Sequence, residues 1–297
     1  MTSESFRSGF IAIVGPPNAG KSTLLNHLLG EKISITSKKP QTTRNRILGV
    51  LHRENAQLVF MDTPGVHAAE NPLNVRIVDQ AISAMGDCDL VLLMFDASMD
   101  MVEAEAILLE KIKTVSTPVI LVLNKADLVP KPDLLVKIDA WREKHPFAEL
   151  VPISAKRGTY VEELVATVEK RLPVHPPYFP EDALTDVPER FIAAEIIREK
   201  IFRLTGEEIP YASAVTIDEF AEENREKLVS IQATIHVERD SQKGIIIGKQ
   251  GVKLKEIGMA ARKDLEKFLG TRVFLKLFVR VQKNWSRDKR VLDDFGY

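Results

Sequence analysis

FIAIVGPPNAGKSTLLNHLLG, residues 10–30, decides the fold of this chain. It joins an apolar run (Phe10–Val14), a turn built on Gly15, Pro16, Pro17, Asn18, Ala19 and Gly20, and a helix-like segment from Lys21 onward. A strand, a glycine-rich turn and a helix in that order aim successive backbone N–H groups at one point. The helix N-terminus adds partial positive charge, so the turn is a cradle for an anion. Gly15 and Gly20 permit the tight backbone path. Lys21 is placed to bridge the β- and γ-phosphates of a nucleotide, and the Ser22 hydroxyl to ligate Mg²⁺.

Outward from this stretch, the apolar runs Leu58–Met61, Asp89–Phe95 and Pro118–Leu123 are short enough to be strands buried on both faces. The segments 102–115 and 133–144 between and after them are helix-like. Strands alternating with helices imply an α/β domain with a mostly parallel sheet, whose ligands bind beyond the strands' C-terminal ends.

The turn alone does not separate ATP from GTP. NKAD at 124–127, directly after the run PVILVL, makes that choice. The two oxygens of the Asp127 carboxylate match guanine N1–H and its exocyclic amine, a donor pair adenine lacks. Asn124 is expected to brace the loop and reach N7, and the Lys125 stem to pack over the base. DTPG at 62–65 follows LVFM. There Asp62 is poised to hold Mg²⁺, with Thr63 and Pro64 leading to Gly65, whose N–H is set to meet the γ-phosphate. Ser154, Ala155 and Lys156 close the base pocket, with the Ala155 N–H a donor to O6.

At 297 residues the chain is long enough for two domains, and its 44% hydrophobic and 28% charged content is that of a soluble globular protein. No run approaches the ~18 apolar residues of a spanning helix, and MTSESFRSGF lacks the apolar core of a signal peptide. The single Cys88 excludes a disulfide framework and a multi-cysteine metal site. A cytoplasmic protein is expected. The net charge of −1 conceals an asymmetry: residues 241–297 carry fourteen Lys/Arg against six Asp/Glu. A basic end calls for an anionic partner, nucleic acid or a lipid surface.

Residues 171–188 hold five of the sixteen prolines and read as an extended linker. Beyond it the pattern is a helix over 189–204, strands at 212–220 and 228–237, a Gly-rich turn, a helix over 252–269, a strand at 272–281 and a basic tail. This is a small α+β domain of helix–strand–strand–helix–strand order. In KGIIIGKQG (243–251), Gly248, Lys249, Gln250 and Gly251 form a GxxG turn between an isoleucine run and an amphipathic helix. Paired glycines let a sugar–phosphate backbone approach closely, and Lys249 adds charge without demanding a base. Ile246 and Ile247 are candidate linings of the adjoining groove. Lys253 and the neighbouring cations supply salt-dependent affinity.

GPPNAGKS, QTTR (41–44), DTPG, NKAD and SAK, in this order, resemble the ordered motifs of translation-factor-related GTPases, and the GxxG setting resembles a type II KH domain. Together, over nearly the whole chain, they resemble the Era family of ribosome-assembly GTPases. The resemblance implies an Era-type GTP-binding domain over 1–172, a linker over 173–188, a type II KH domain over 189–284 and a basic tail over 285–297. It implies a GTP/GDP switch needing Mg²⁺ that binds small-subunit ribosomal RNA near its 3′ end and acts on the small ribosomal subunit as a monomer. Lys38–Arg46 would be the first switch, with Thr42 or Thr43 completing the Mg²⁺ shell when GTP is bound, and Pro64–Val78 the second. Val66 stands where many GTPases place a water-orienting glutamine, followed by His67, so basal hydrolysis is expected to be slow. Asn18 could ligate K⁺ beside the phosphates, as in related GTPases. Two other readings stand beside this one: a peripheral GTPase docking on the inner membrane through its basic end, and an ATPase with an accidental NKAD.

Overall fold

The computed structural model describes residues 6–36, 46–66, 82–99, 103–206, 209–223 and 228–295. These divide into two compact units, one of residues up to Ser34 and again from Arg46 to Asp186, the other of Ile35 and Thr36 with the residues from Val187 onward.

The first unit is built on six strands: β1 (Arg7–Val14), β2 (Ile47–Arg53), β3 (Ala56–Asp62), β4 (Leu90–Asp96), β5 (Val119–Asn124) and β6 (Glu149–Pro152). Their order across the sheet is β2-β3-β1-β4-β5-β6, with every pairing parallel except β2 with β3. Every residue of β3, β4 and β5 is buried, as expected of parallel strands covered on both faces. Among the described residues, helices α1 (Lys21–Leu29), α2 (Glu103–Ile112), α3 (Lys131–Arg142) and α4 (Val161–Glu169) flank this sheet. One face of the sheet packs Val91, Leu93 and Phe95 under Leu108, Ile112 and Trp141, the Phe95 and Trp141 rings lying 4.8 Å apart. β1, β3, β4 and β5 all end at the same rim of the sheet, which places Gly15, Asp62, Asp96 and Asn124 together.

The proline-rich stretch lies along this unit. Ser8 Oγ donates to the Pro176 carbonyl at 2.6 Å, and the buried Gln57 accepts from the Tyr178 and Phe179 N–H groups at 2.7 and 3.0 Å. Val50 N–H donates to Leu184 O at 2.9 Å and Thr185 Oγ1 to Leu48 O at 2.6 Å.

The second unit has α5 (Glu189–Leu204), β7 (Ser213–Glu223), β8 (Leu228–Val237), α6 (Asp240–Ile247), α7 (Val252–Leu269), β9 (Arg272–Val281) and α8 (Lys289–Asp294). The sheet order is β7-β8-β9, β8 antiparallel to β7 and parallel to β9. On α7 the buried positions Ile257, Ala261 and Leu265 recur every fourth residue, one stripe on the sheet. Helix α6 was not expected from sequence, where its residues read as the approach to a turn. Gln242 Oε1 accepts from the Arg239 and Glu238 N–H groups at 3.0 and 2.9 Å and so satisfies the helix entry. The residues read as a tail fold onto the same unit: Trp285 is fully buried and donates from Nε1 to Ala212 O at 3.2 Å.

Candidate functional site

The turn after β1 closes around Lys21, whose ammonium donates to the carbonyls of Gly15 and Pro16 at 3.0 and 2.9 Å. Burial lowers its pKa to about 8, against the opposing pull of the Asp62 carboxylate. A phosphate placed in this turn would compensate the desolvated ammonium. The turn's glycines are held by close approach. A Cβ on Gly15 would sit 2.2 Å from Met94 O, and one on Gly20, at φ +100°, 2.2 Å from Asn124 Nδ2. Asn18 is also left-handed, at φ 63°, and is exposed on the rim.

At the end of β3, Asp62 Oδ2 accepts from Ser22 Oγ and from Ser34 Oγ, each at 2.8 Å. Two hydroxyls and a carboxylate are hard oxygen donors, the set that suits Mg²⁺. Thr63 Oγ1 donates to Ile13 O at 2.8 Å, tying the DTPG turn to β1. Pro64 is buried, and a Cβ on Gly65 would meet Pro17 N at 2.8 Å, so DTPG packs against the phosphate turn. Val66 is wholly buried and its N–H donates to Gly15 O at 3.1 Å. The position after Gly65 therefore points into the core and orients no water. Thr42, Thr43 and His67, and with them most of both expected switches, lie outside the described residues.

Asn124 is the bracket of the base side. Its Nδ2 donates to Ala19 O at 2.7 Å and its Oδ1 accepts from Ala155 N–H at 2.9 Å. The Ala155 N–H, expected to donate to guanine O6, here donates to Asn124 and joins two loops. Lys125 is left-handed at φ 61°, and its ammonium reaches Asp96 Oδ2 at 2.5 Å. Burial works to raise the Asp96 pKa, yet the hydrogen bonds from Lys125 and Ser98 outweigh it and hold the carboxyl below its ordinary value. Asp127 Oδ2 receives Arg157 Nε at 2.9 Å, so a guanidinium occupies the place assigned to the base's two N–H groups. Ser154 is buried, with its N–H on Thr159 O, while Lys156 is exposed. Sequence reasoning missed Ser34, Asp96 and Arg157. Asp96 carried a signal, since it ends β4 at the same rim where Asp62 ends β3.

In the second unit the GxxG turn links α6 to α7. Gly248, Gln250 and Gly251 have φ of 70°, 54° and 80°, and a Cβ on Gly248 would lie 2.6 Å from Lys253 Cβ. Lys249 and Gln250 are exposed, and Lys253 pairs with Glu256 at 2.7 Å. Ile247 is half-buried, whereas Ile246 is fully buried and supports the turn from the core rather than lining a groove; Ile245 is the exposed isoleucine. Beside the turn, a groove of about 410 Å³ runs between α7 and β9, lined by Leu254, Gly258, Met259, Arg262, Leu275 and Leu277 among others.

The family model described as a 50S ribosome-binding GTPase matches residues 10–125, and the KH-domain model matches residues 208–286. The chain is 57% identical to the GTPase Era of Geobacter metallireducens over 297 residues, all of both chains. It is 49% identical to that of Trichlorobacter lovleyi, again over the full length of both. The chain belongs to the Era family of GTPases. A solved structure of Era bound to MgGDPNP and nucleotides 1506–1542 of 16S ribosomal RNA is 45% identical, with a TM-score of 0.94 over 98% of this chain and 99% of that one. A variant of Aquifex aeolicus Era bound to GDP and aluminium fluoride matches with the same score and coverage at 44% identity. As an Era-family GTPase, this chain hydrolyses GTP, with a P-loop domain carrying the nucleotide chemistry and a KH domain following it. Among the described residues no cluster of three or more His, Cys, Asp or Glu side chains could hold a further metal, and no helix is long and apolar enough to cross a membrane.

Proposed function

We propose that this GTPase is a switch that engages small-subunit ribosomal RNA near its 3′ end through the Gly248–Gly251 turn when GTP is bound, and releases it as GDP. The observation that carries the reading is the pairing of two built sites in one chain: a phosphate cradle bracketed to a base pocket by Asn124, and a GxxG turn with three residues at positive φ. The related Era bound to nucleotides 1506–1542 of 16S ribosomal RNA supports the choice of RNA. The units work as a GTP-binding domain over 1–172, a connector over 173–188 and a KH domain over 189–284, extended by 285–297. The protein acts as a monomer in the cytoplasm.

In this reading Gly15–Gly20 and Lys21 hold the phosphates, Asn124, Lys125 and Asp127 the guanine, and Ser154–Lys156 the far wall of the base pocket. Ser22 and Asp62 hold Mg²⁺, Asp62 through water, with Thr42 or Thr43 joining when GTP is bound. The ion neutralises charge developing on the β- and γ-oxygens. Guanine must displace Arg157 from Asp127. Gly65 N–H meets the γ-phosphate, which couples nucleotide state to the segment after Val66.

With Val66 in the core, no side chain at that position helps the attacking water, so basal turnover is slow. In this reading Asn18, exposed and left-handed at the rim, would hold K⁺ beside the phosphates, where a cation would substitute for an arginine finger. Turnover several-fold faster in K⁺ than in Na⁺ buffer of equal ionic strength is expected, and equal rates would remove that role. Changing Lys249 and Gln250 together to Asp should abolish RNA binding at physiological salt and leave basal hydrolysis unchanged. RNA affinity that survives the change would place the contact elsewhere.

A further inference from the structure

The strand β9 has two faces of different chemistry. Its Val273, Leu275, Leu277, Val279 and Val281 side chains are buried or half-buried, and Leu275 and Leu277, with Lys276 between them, border the groove against α7. On the other side Arg272, Phe274, Lys276, Phe278 and Arg280 are all exposed, Phe274 at 56% and Phe278 at 43%. Two aromatic rings are thus exposed on one strand face, each flanked by cations. They stand four residues apart, about 13 Å along the strand, with a cation before, between and after them. Lys276 Nζ lies 5.0 Å from the Phe278 ring centroid.

Across the sheet the partners of these residues are polar: Phe274 lies beside Ser230, Lys276 beside Gln232 and Phe278 beside Thr234. On β7 the same face turns acidic. Asp218 accepts from Thr234 at 2.6 Å, and Glu219 accepts from Gln232. Charge therefore runs from positive on β9 to negative on β7. A polyanion on this face is held along β9 and turned away from β7. The far end, at His236, is covered by Phe295, ring centroids 4.4 Å apart.

We propose that this outward face of β9 is a second RNA-binding surface, which takes unpaired bases by stacking on Phe274 and Phe278 while Arg272, Lys276 and Arg280 hold the phosphates. Alternating rings and cations on one strand are the means by which sequence-tolerant single-strand readers work: every base has a π-face, and the charges track the backbone. A lipid surface would be served by contiguous apolar residues, whereas here each ring is isolated between charges. β9 is an edge strand, so an RNA leaving the groove between α7 and β9 rounds that edge onto the rings without crossing another element of the sheet. The inference rests on the KH reading above and extends it, since the GxxG turn clamps only about four nucleotides.

The test uses the full chain and two unstructured RNAs, one of about six nucleotides, which fills the GxxG groove alone, and one of about twenty, which reaches both surfaces. Phe274→Ala with Phe278→Ala should weaken the long RNA at least about tenfold, leave the short RNA unchanged and leave the thermal transition in place. Phe274→Tyr with Phe278→Tyr, which keeps the rings, should restore binding. In a Phe278→Trp chain the long RNA should quench the added fluorescence and the short one should not. Equal affinity of the alanine variant and the parent for the long RNA overturns the proposal. So does loss of binding to vesicles of anionic phospholipid with RNA binding intact, which would make the face a lipid contact. If the parent chain binds neither RNA, the KH reading itself fails, and the two failures are thereby told apart.

Discussion

The side-chain amide of Asn124 donates to the carbonyl of Ala19, 105 residues earlier in the chain, across 2.7 Å, and its oxygen receives the N–H of Ala155. One buried side chain thus fixes the phosphate turn, the base-recognition loop and the loop after β6 to each other. Preorganising three loops in this way removes conformational freedom that nucleotide would otherwise have to remove on binding.

Asn124→Ala is expected to cost more than a base contact. It leaves the Ala19 carbonyl and the Ala155 N–H without this partner in a buried setting, at about 1–3 kcal/mol for each group. A guanine-nucleotide titration should show affinity down by about a hundredfold or more, with a lower unfolding temperature in the same preparation. Unchanged thermal stability would mean that the bracket carries no structural load.

Asp127→Asn should erase the preference for guanine without unfolding the chain, because the residue sits in a loop. Sites built to hydrogen-bond a donor discriminate by about 10⁴ or more against analogues lacking it. Competition of ATP against labelled GTP should show that ratio falling at least about a hundredfold. A parallel Arg157→Ala variant should bind nucleotide more tightly, since guanine then displaces no guanidinium from Asp127.

The pH dependence follows from Lys21. Its folded pKa of about 8 lies below the ordinary 10.5 because burial disfavours the ammonium. Below about 8 the group is protonated folded or unfolded, and the penalty is present in full. Between about 8 and 10.5 the unfolded chain holds the extra proton, so this residue's contribution to stability rises with pH. Nucleotide does the opposite. Phosphates favour the ammonium, so affinity is greatest below pH 8 and weakens above it, with uptake approaching about one proton per nucleotide near pH 9. Calorimetry in buffers of different ionisation enthalpy reads that uptake directly, and none at pH 9 would contradict the lowered pKa.

Gly15→Ala should be severely damaging. Its Cβ would lie 2.2 Å from the Met94 carbonyl oxygen, an atom of β4 that cannot rotate away. Overpacking of this kind costs about 1–3 kcal/mol or more, and the displaced strand carries Asp96. Denaturant unfolding and nucleotide affinity should both fall. Gly30→Ala is the control: nothing lies within 4 Å of its Cβ, so only its left-handed φ of 69° is strained and the nucleotide site is untouched.

Much of this molecule is legible in its sequence because the informative residues are local. A buried strand, a glycine turn and a helix N-terminus are contiguous in residues 7–29, and the helices at Glu189–Leu204 and Val252–Leu269 begin and end where their apolar spacing does. The elements that escaped carry weak patterns of their own. β2, with Gly49 inside it and His52 and Arg53 at its end, lacks a clean alternation, and it is a strand because it folds back on β3 in a hairpin across Glu54 and Asn55. Helix α6 ends in three β-branched isoleucines and contains Gly244, poor helix formers whose entry is satisfied by Gln242. Trp285 looks like part of a charged tail until its burial under Phe295 is seen. The same holds in the site: Asp62 is announced by DTPG, whereas Arg157 reaches Asp127 only through the path of the loop after β6.

The central claim, that nucleotide state governs RNA engagement, is tested most directly by one titration. The full chain is titrated onto RNA of nucleotides 1506–1542 of 16S ribosomal RNA, once with Mg²⁺ and a non-hydrolysable GTP analogue and once with GDP, across a salt series. Affinity at least about tenfold higher with the analogue, persisting at physiological salt, is the predicted result. Equal affinity in the two states, vanishing steeply with salt, would contradict it and leave the second unit a basic surface with no switch attached.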